Sequence, residues 1–211
     1  MKLYLSSFRL GDEPEKFAQL FGDNKKVAVI ANAVDELEGT MRSERVTNEI
    51  NWLADIGLQA TVIDLRSYFG DNTRLAIDLA DFAGVWVRGG NSFVLRRAFA
   101  QSGFDKWLIA KNQSQQLIDS HFVYGGYSAG VVVLAPELYG IEIVDPLHIN
   151  PKGYQTETIW TGLGIIDFNF APHYQSEHPE SANIEKTIEL WQSQGKPFRA
   201  LHDGEVIIKE E

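Results

Sequence analysis

The sequence predicts an α/β domain with a mostly parallel sheet, and three observations support this. Short apolar runs alternate with longer segments of helical periodicity, and strands that alternate with helices form βαβ units whose strands run parallel. The 211 residues fit one ordinary domain. Hydrophobic residues make up 44% of the chain and charged residues 23%, as in ordinary globular proteins. Because no repeat or linker interrupts the pattern, residues 1–211 are interpreted as a single domain.

The predicted strands are short, mostly apolar runs. The clearest is 26–32, whose Val-Ala-Val-Ile core is typical of a buried strand. Strands are expected at residues 2–8, 26–32, 60–65, 84–87, 122–124, 141–144 and 168–171, with a final pair at 198–201 and 205–209.

The predicted helices carry apolar residues at helical spacing. In 41–55 these residues are Val46, Ile50, Leu53 and Ala54, at spacings of 4, 3 and 1. The remaining helices are expected at residues 13–21, 73–80, 92–101, 104–117, 128–134 and 179–194, with Asp71 or Asn72 as the N-cap of the second of these.

Composition excludes several classes of protein. The 19 Lys and Arg against 29 Asp and Glu leave a net charge of −10, which argues against binding to nucleic acid or anionic membranes. The absence of cysteine excludes disulfides, thiolate metal sites and cysteine nucleophiles. Arg9 interrupts the first apolar stretch too early for a signal peptide, and no run of 18 apolar residues is present, so a cytoplasmic location is expected.

Cofactor and metal sites are not expected either. The chain contains neither G-x-x-x-x-G-K-[ST] nor G-x-G-x-x-G, the usual nucleotide-binding patterns. The segment from His173 to His178 lacks the H-E-x-x-H spacing of a zinc site.

The most informative segment is Gly126-Tyr127-Ser128-Ala129-Gly130, which matches the G-x-S-x-G nucleophile elbow. A predicted strand precedes it and a predicted helix follows, as that motif requires. Such a turn holds the serine in a strained conformation and presents its hydroxyl at the carboxyl edge of the sheet. The Ala129 N–H, at the start of the helix, can then donate to a developing oxyanion. The alternative interpretation is a glycine-rich turn with no catalytic role.

A second glycine motif lies at residues 87–93, Val-Arg-Gly-Gly-Asn-Ser-Phe, at another strand-to-helix junction. Its backbone, at Gly90, is a candidate for the second oxyanion donor. The same turn also has a structural interpretation, with Asn91 or Ser92 as the N-cap of the helix, and the two roles are compatible.

A serine nucleophile needs a base, and histidine is the usual one. His173 is the preferred candidate because it directly follows the strand predicted at 168–171. Two triads remain open on spacing: Ser128–His173–Asp203, and Ser128–Asp167–His202 in the order of ordinary α/β-hydrolases. The other histidines are expected elsewhere, with His121 at the far end of its strand and His148 and His178 in solvated turns.

Three motifs in this order, with one further short segment, resemble the peptidase E (α-aspartyl dipeptidase) and cyanophycinase family of serine peptidases. Residues 89–93 (Gly-Gly-Asn-Ser-Phe) are similar to G-G-N-T-F, and 126–130 to G-x-S-A-G. Residues 171–174 (Ala-Pro-His-Tyr) are similar to N-P-H-F, and 144–146 (Val-Asp-Pro) to another family segment. The resemblance spans roughly residues 25–205.

This resemblance implies a three-layer α/β/α sandwich of the class I glutamine-amidotransferase (flavodoxin-like) type. It implies Ser128 as nucleophile, His173 as base and Asp203 as the third member, where peptidase E has a glutamate. The implied activity is hydrolysis of small peptides without a cofactor. The alternatives are an esterase using Asp167 and His202, and a non-catalytic α/β binding domain. Edge strands and residues 136–165 are candidate contacts of a homodimer.

One departure concerns the substrate. In peptidase E an arginine in the helix after the histidine holds the substrate aspartate, whereas residues 182–194 contain no arginine. Strict preference for an N-terminal aspartate is therefore not expected, because bidentate arginine binds a carboxylate best. Arg88 and Asn91, beside the second glycine motif, are the candidate substrate-binding residues.

Overall fold

The computed structural model describes residues 1–37, 39–71, 73–113 and 121–210. Its main feature is a six-stranded sheet in the order β3-β2-β4-β5-β1-β8, in which only β8 runs antiparallel to its neighbour. A further pair, β6-β7, is parallel. The strands are β1 (Lys2–Ser6), β2 (Lys26–Ile30), β3 (Gln59–Val62), β4 (Gly84–Val87), β5 (Val123–Tyr127), β6 (Asn169–Ala171), β7 (Phe198–Ala200) and β8 (Val206–Lys209).

Helices cover both faces of the sheet. They are α1 (Pro14–Leu20), α2 (Gly39–Asp55), α3 (Leu75–Asp78), α4 (Ser92–Ser102), α5 (Phe104–Gln113), α6 (Ala129–Val132) and α7 (Ser181–Ser193), with 3₁₀ turns at Asn32–Val34, Leu65–Tyr68 and Ile141–Ile143. No helix in the described ranges is long and apolar enough to cross a bilayer.

The alternation of side chains along each strand produces two cores. On one face, Leu3 and Leu5 of β1 pack with apolar residues of α4 to α7. On the other face, Tyr4 of β1 packs with Phe17 of α1 and Leu53 of α2. Fully burying one such side chain stabilises the fold by about 1.5–3 kcal/mol. The two cores confirm the predicted three-layer α/β/α sandwich.

The register of the central strands brings their carboxyl ends together. In β5, Gly126 is paired with Val87 of β4 on one side and with Leu5 of β1 on the other. Close packing there depends on Gly130, because a Cβ at this position would overlap the Val87 carbonyl oxygen. The segments that follow β1, β4 and β5 therefore meet at one edge of the sheet.

Two sequence predictions are wrong. Residues 141–144 form no strand but the 3₁₀ turn Ile141–Ile143, which starts after Gly140 at a φ of 100°. This turn packs on α7, where Thr187 donates to the Gly140 carbonyl. The last two strands do not pair with each other, since β7 lies beside β6 and β8 beside β1. Local β-propensity cannot specify strand partners, which depend on burial in the whole fold.

One smaller difference lies at the ends of a helix. The helix predicted at 73–80 is shorter, Leu75–Asp78, and Asp71 accepts hydrogen bonds from Thr73 before it. The candidate cap Asn72 and the end of the helix predicted at 104–117 lie outside the described residues.

Candidate active site

Ser128 lies between β5 and α6 with a φ of 48° and a ψ of −119°. This backbone conformation is unfavourable for any residue with a Cβ, at a cost of roughly 1–3 kcal/mol. The turn is held by the Ser128 N–H, which donates to the Ser6 carbonyl (3.3 Å), and by the Val131 and Val132 N–H groups, which donate to the Ser128 carbonyl. A Cβ at Gly89 would come within 2.9 Å of the Ser128 Cβ. The turn thus has the strained strand–turn–helix geometry that the predicted nucleophile elbow requires.

His173 and Asp203 are hydrogen-bonded to each other. The distance from His173 Nδ1 to Asp203 Oδ1 is 2.6 Å. His173 is only 2% exposed and follows β6 with a φ of 58°. A hydrogen bond at Nδ1 sets the tautomer of the ring and leaves Nε2 as its second polar atom.

Ser7, which the sequence analysis missed, links the histidine and the aspartate. Its hydroxyl accepts a hydrogen bond from the His173 N–H (2.8 Å) and lies 3.0 Å from Asp203 Oδ1. The Asp203 N–H in turn donates to the Ser176 hydroxyl (2.8 Å). Ser7 follows β1, at the same edge of the sheet as Ser128. A polar residue directly after the first strand was the sequence feature that could have indicated its place at the site.

Ser128 and His173 line one cavity of about 210 Å³, together with Gly89 and Gly90. The charged and titratable residues that also line it are Glu36, Arg45, Arg88, His178 and Glu180. The cavity therefore brings the predicted nucleophile, the predicted base and the second glycine motif together.

Two backbone N–H groups beside Ser128 are available as donors. Gly90 has a φ of 144°, and a Cβ there would overlap the Ala33 carbonyl oxygen. Among the described residues, the Gly90 N–H has no hydrogen-bond acceptor. Ala129 is the first residue of α6, and N–H groups in the first turn of a helix have no intrahelical acceptor.

The site holds several groups whose charged forms are disfavoured. Burial lowers the pKa of His173, a shift that Asp203 opposes and a charge on His178 reinforces. Burial also lowers the pKa of His178. Burial, with Asp145 and Asp203 adding repulsion, raises the pKa of Glu180 to about 7. The proposed base is thus kept neutral to lower pH than an exposed imidazole.

His178 contradicts the expectation that it would be solvated. Its side chain is 19% exposed and its ring stacks on that of His173, with centroids 3.6 Å apart and an interplanar angle of 7°. An irregular turn, with positive φ at His173 and at Gln175, joins the two histidines. Because that turn has no regular period, sequence spacing could not reveal the contact.

Arg88 lines the cavity but is paired with a buried carboxylate. Its Nε lies 3.2 Å from Oε1 of Glu49 on α2, an ion pair that is not aligned as a hydrogen bond. Glu49, also missed by sequence analysis, is 1% exposed and accepts hydrogen bonds from Trp86 Nε1 and Tyr127 Oη, both at 2.7 Å. This pairing limits the charge that Arg88 can offer to a substrate.

Asn91 caps α4. Its Oδ1 accepts hydrogen bonds from the Phe93 and Val94 N–H groups, and its Nδ2 donates to the Pro146 carbonyl. Asp145 Oδ2 accepts a further hydrogen bond from the Ser92 N–H (2.8 Å). These bonds favour the capping role, and binding of substrate by Asn91 stays a prediction.

The structure does not bring the alternative triad together. Asp167 and His202 are exposed, and neither lines the cavity with Ser128. The His202 ring lies instead against Tyr174, with centroids 5.5 Å apart. His121 and His148 are exposed as well and do not line this cavity.

His173, His178 and Glu180 are the residues nearest to a metal-site arrangement in the described part of the chain, with one ligand atom from each within 4.8 Å of the others. Their arrangement does not suit an ion. A metal is bound in the plane of an imidazole ring, and two parallel rings stacked 3.6 Å apart cannot both direct a lone pair at one ion.

Known proteins are similar to most of this chain. The model of Peptidase family S51 matches residues 7–211. An uncharacterized peptidase, Lin0382, from Listeria innocua is 28% identical over 163 residues, 74% of this chain and 72% of that protein. Peptidase E from Streptomyces coelicolor is 32% identical over 158 residues, 72% of this chain and 56% of that protein.

The fold is also similar to a solved structure. A peptidase E-like protein from Listeria monocytogenes EGD-e superposes with a TM-score of 0.74 at 23% identity, covering 99% of this chain and 97% of the other. These matches confirm the family resemblance that the glycine, serine and histidine motifs predicted. The chain belongs to peptidase family S51 and is a serine-type peptidase.

Proposed function

We propose that this protein hydrolyses small peptides through a Ser128–His173–Asp203 triad and an acyl-enzyme. The observation that carries the proposal is the 2.6 Å hydrogen bond between His173 and Asp203, made by a histidine that lines one cavity with Ser128. Asp203 accepts a hydrogen bond from the Nδ1–H group, so the neutral ring has its free lone pair on Nε2, the atom that acts as base in such triads.

The reaction proceeds in two halves. Ser128 Oγ attacks the substrate carbonyl while His173 Nε2 takes its proton, and the oxyanion is held by the N–H groups of Gly90 and Ala129. The imidazolium then gives the proton to the leaving amine as the C–N bond breaks. Water, deprotonated by the same imidazole, attacks the ester and releases the acid and the serine.

The charges in the cavity bear on the substrate. Arg88 is paired with Glu49, and the carboxyl groups of Glu36 and Glu180 would repel an acidic side chain once they are ionised. Arg45 is the remaining cavity-lining cation of the described residues, and it has no ion pair within 4 Å there. Because the cavity combines one arginine that is unpaired among the described residues with two carboxyl groups and an arginine that is already paired, strict preference for an aspartyl peptide is not expected.

Labelling by a fluorophosphonate probe tests the nucleophile. Wild-type protein should be labelled on Ser128, and Ser128→Ala should lose labelling because residues 126–130 contain no other serine and the Tyr127 hydroxyl is hydrogen-bonded to Glu49. Ser193→Ala, a change at an exposed serine of α7, is the matched control and should be labelled like wild type. Undiminished labelling of Ser128→Ala would refute the assignment.

The base is tested by a dipeptide panel. His173→Ala should lose hydrolysis by several orders of magnitude, whereas His202→Ala should keep it, since His202 lies outside the cavity. Dependence on His202 alone would instead favour the esterase-type triad. The same panel, with acidic, neutral and basic N-terminal residues, measures side-chain preference directly.

A further inference from the structure

His178 stacks on His173, the proposed base, and this contact has no part in the mechanism given above. The His178 ring covers one face of His173, and Phe8 meets both rings edge-on, at centroid distances of 5.6 Å to His173 and 5.4 Å to His178. His178 is itself fixed, because its Nδ1 accepts a hydrogen bond from the Glu180 N–H (3.3 Å). This bond requires Nδ1 to be unprotonated and therefore favours neutral His178.

We propose that His178 is a positioning residue for the base, a role that rests on the proposed function: its stacked ring holds the His173 imidazole against Asp203 and disfavours a second positive charge on the pair. Side chains that are held by packing and by secondary hydrogen bonds keep catalytic groups in productive geometry. Here the packing partner is an imidazole, so the contact also has an electrostatic consequence.

The surroundings of His173 divide into groups that favour its charged form and groups that oppose it. Asp203 at Nδ1 favours the imidazolium, and Glu180, whose Oε2 lies 3.9 Å from Nε2, does so only where its carboxyl is ionised. Burial opposes it, and a proton on His178 opposes it further, because like charges at such a short separation repel strongly in a partly buried site.

Across the cavity the further charged groups are Glu36, Arg45 and Arg88, and the last is paired with Glu49. Burial is the largest influence on His173, and the net effect lowers its pKa. Neutral His173, the form that accepts the serine proton, consequently persists to lower pH. Where acid conditions begin to protonate His178, its charge lowers the proton affinity of His173 further, so His178 extends activity toward acid pH.

The experiment measures the pH dependence of fluorophosphonate labelling in wild type, His178→Phe and His178→Ala. Phenylalanine keeps a stacked ring but cannot carry charge. For His178→Phe we expect the acidic midpoint of the labelling rate to rise by about half a pH unit, with the plateau rate within about twofold of wild type. For His178→Ala we expect the same direction of shift and a plateau about tenfold lower, because the ring is no longer held.

His121→Phe, at an exposed histidine outside the cavity, is the control and should keep the wild-type midpoint. An NMR titration of His173 in Ser128→Ala, with and without His178→Phe, measures the same shift without activity. If the His178 ring had only a structural role, the acidic midpoint of labelling would be unchanged in His178→Phe. That result would overturn the inference, while labelling of Ser128 would still support the proposed function. Absence of labelling on Ser128 in wild type would overturn both.

Discussion

Replacement of Glu49 by alanine tests how the two loops beside the nucleophile are held. The Glu49 carboxylate contacts Arg88, just before the glycine motif, and Tyr127, just before Ser128, besides Trp86. Glu49→Ala would leave the guanidinium, the phenol and the indole N–H buried without this partner. Removing one member of a buried ion pair costs about 3–5 kcal/mol, a large fraction of a typical stability of about 5–15 kcal/mol.

The expected loss can be measured by thermal unfolding. For a chain of this size, 1 kcal/mol corresponds to about 2–4 °C, so Glu49→Ala should lower Tm by about 6–20 °C. Glu49→Gln keeps an acceptor but loses the charge, and should cost less, about 1.5–3 kcal/mol. Glu44→Ala, at an exposed glutamate of the same helix, is the control and should unfold like wild type.

If Glu49→Ala unfolded within 1–2 °C of wild type, the idea that this carboxylate holds the loops would be wrong. If Glu49→Ala were as stable as wild type and Ser128 were labelled as before, the turn at Ser128 would keep its geometry without the Glu49 carboxylate. Loss of labelling with unchanged stability would instead indicate a direct role in catalysis.

Two further predictions concern the carboxylates at the site. Asp203→Asn should lower kcat by about 10³–10⁴-fold with little change in Tm, because the amide can still bond to the ring but favours the wrong tautomer; an unchanged kcat in the dipeptide assay would contradict the triad. Glu180, whose pKa is raised to about 7 in the fold, binds its proton more tightly when folded than when unfolded. The contribution of Glu180 to wild-type stability should therefore fall as pH rises from the ordinary pKa of a glutamate through about 7. Denaturant titrations should show a flatter pH dependence of the unfolding free energy for Glu180→Gln. Identical slopes for the two proteins would contradict this.

Much of the local structure could be predicted because it depends on neighbouring residues. The strand at Gly84–Val87 has the predicted bounds, since a continuous apolar run beside glycines is typical of a buried strand. The elbow around Ser128 was predictable for a similar reason: glycines at fixed offsets between a strand and a helix have few other uses. His173 was recognisable from its place after a strand and from the family motif.

Only the tertiary structure decided the contacts that regular spacing does not describe, and most of them join residues that are distant in the sequence. Ser7 joins His173 and Asp203 from the end of β1, and Glu49 reaches the site from α2. His178 is close in sequence to His173, but an irregular turn stacks the two rings. Spacing rules describe regular helices and strands, whereas these contacts arise from how strands pair and loops pack at one edge of the sheet. The sequence alone therefore predicted a serine nucleophile, and the fold decided which groups lie around that serine and its proposed base.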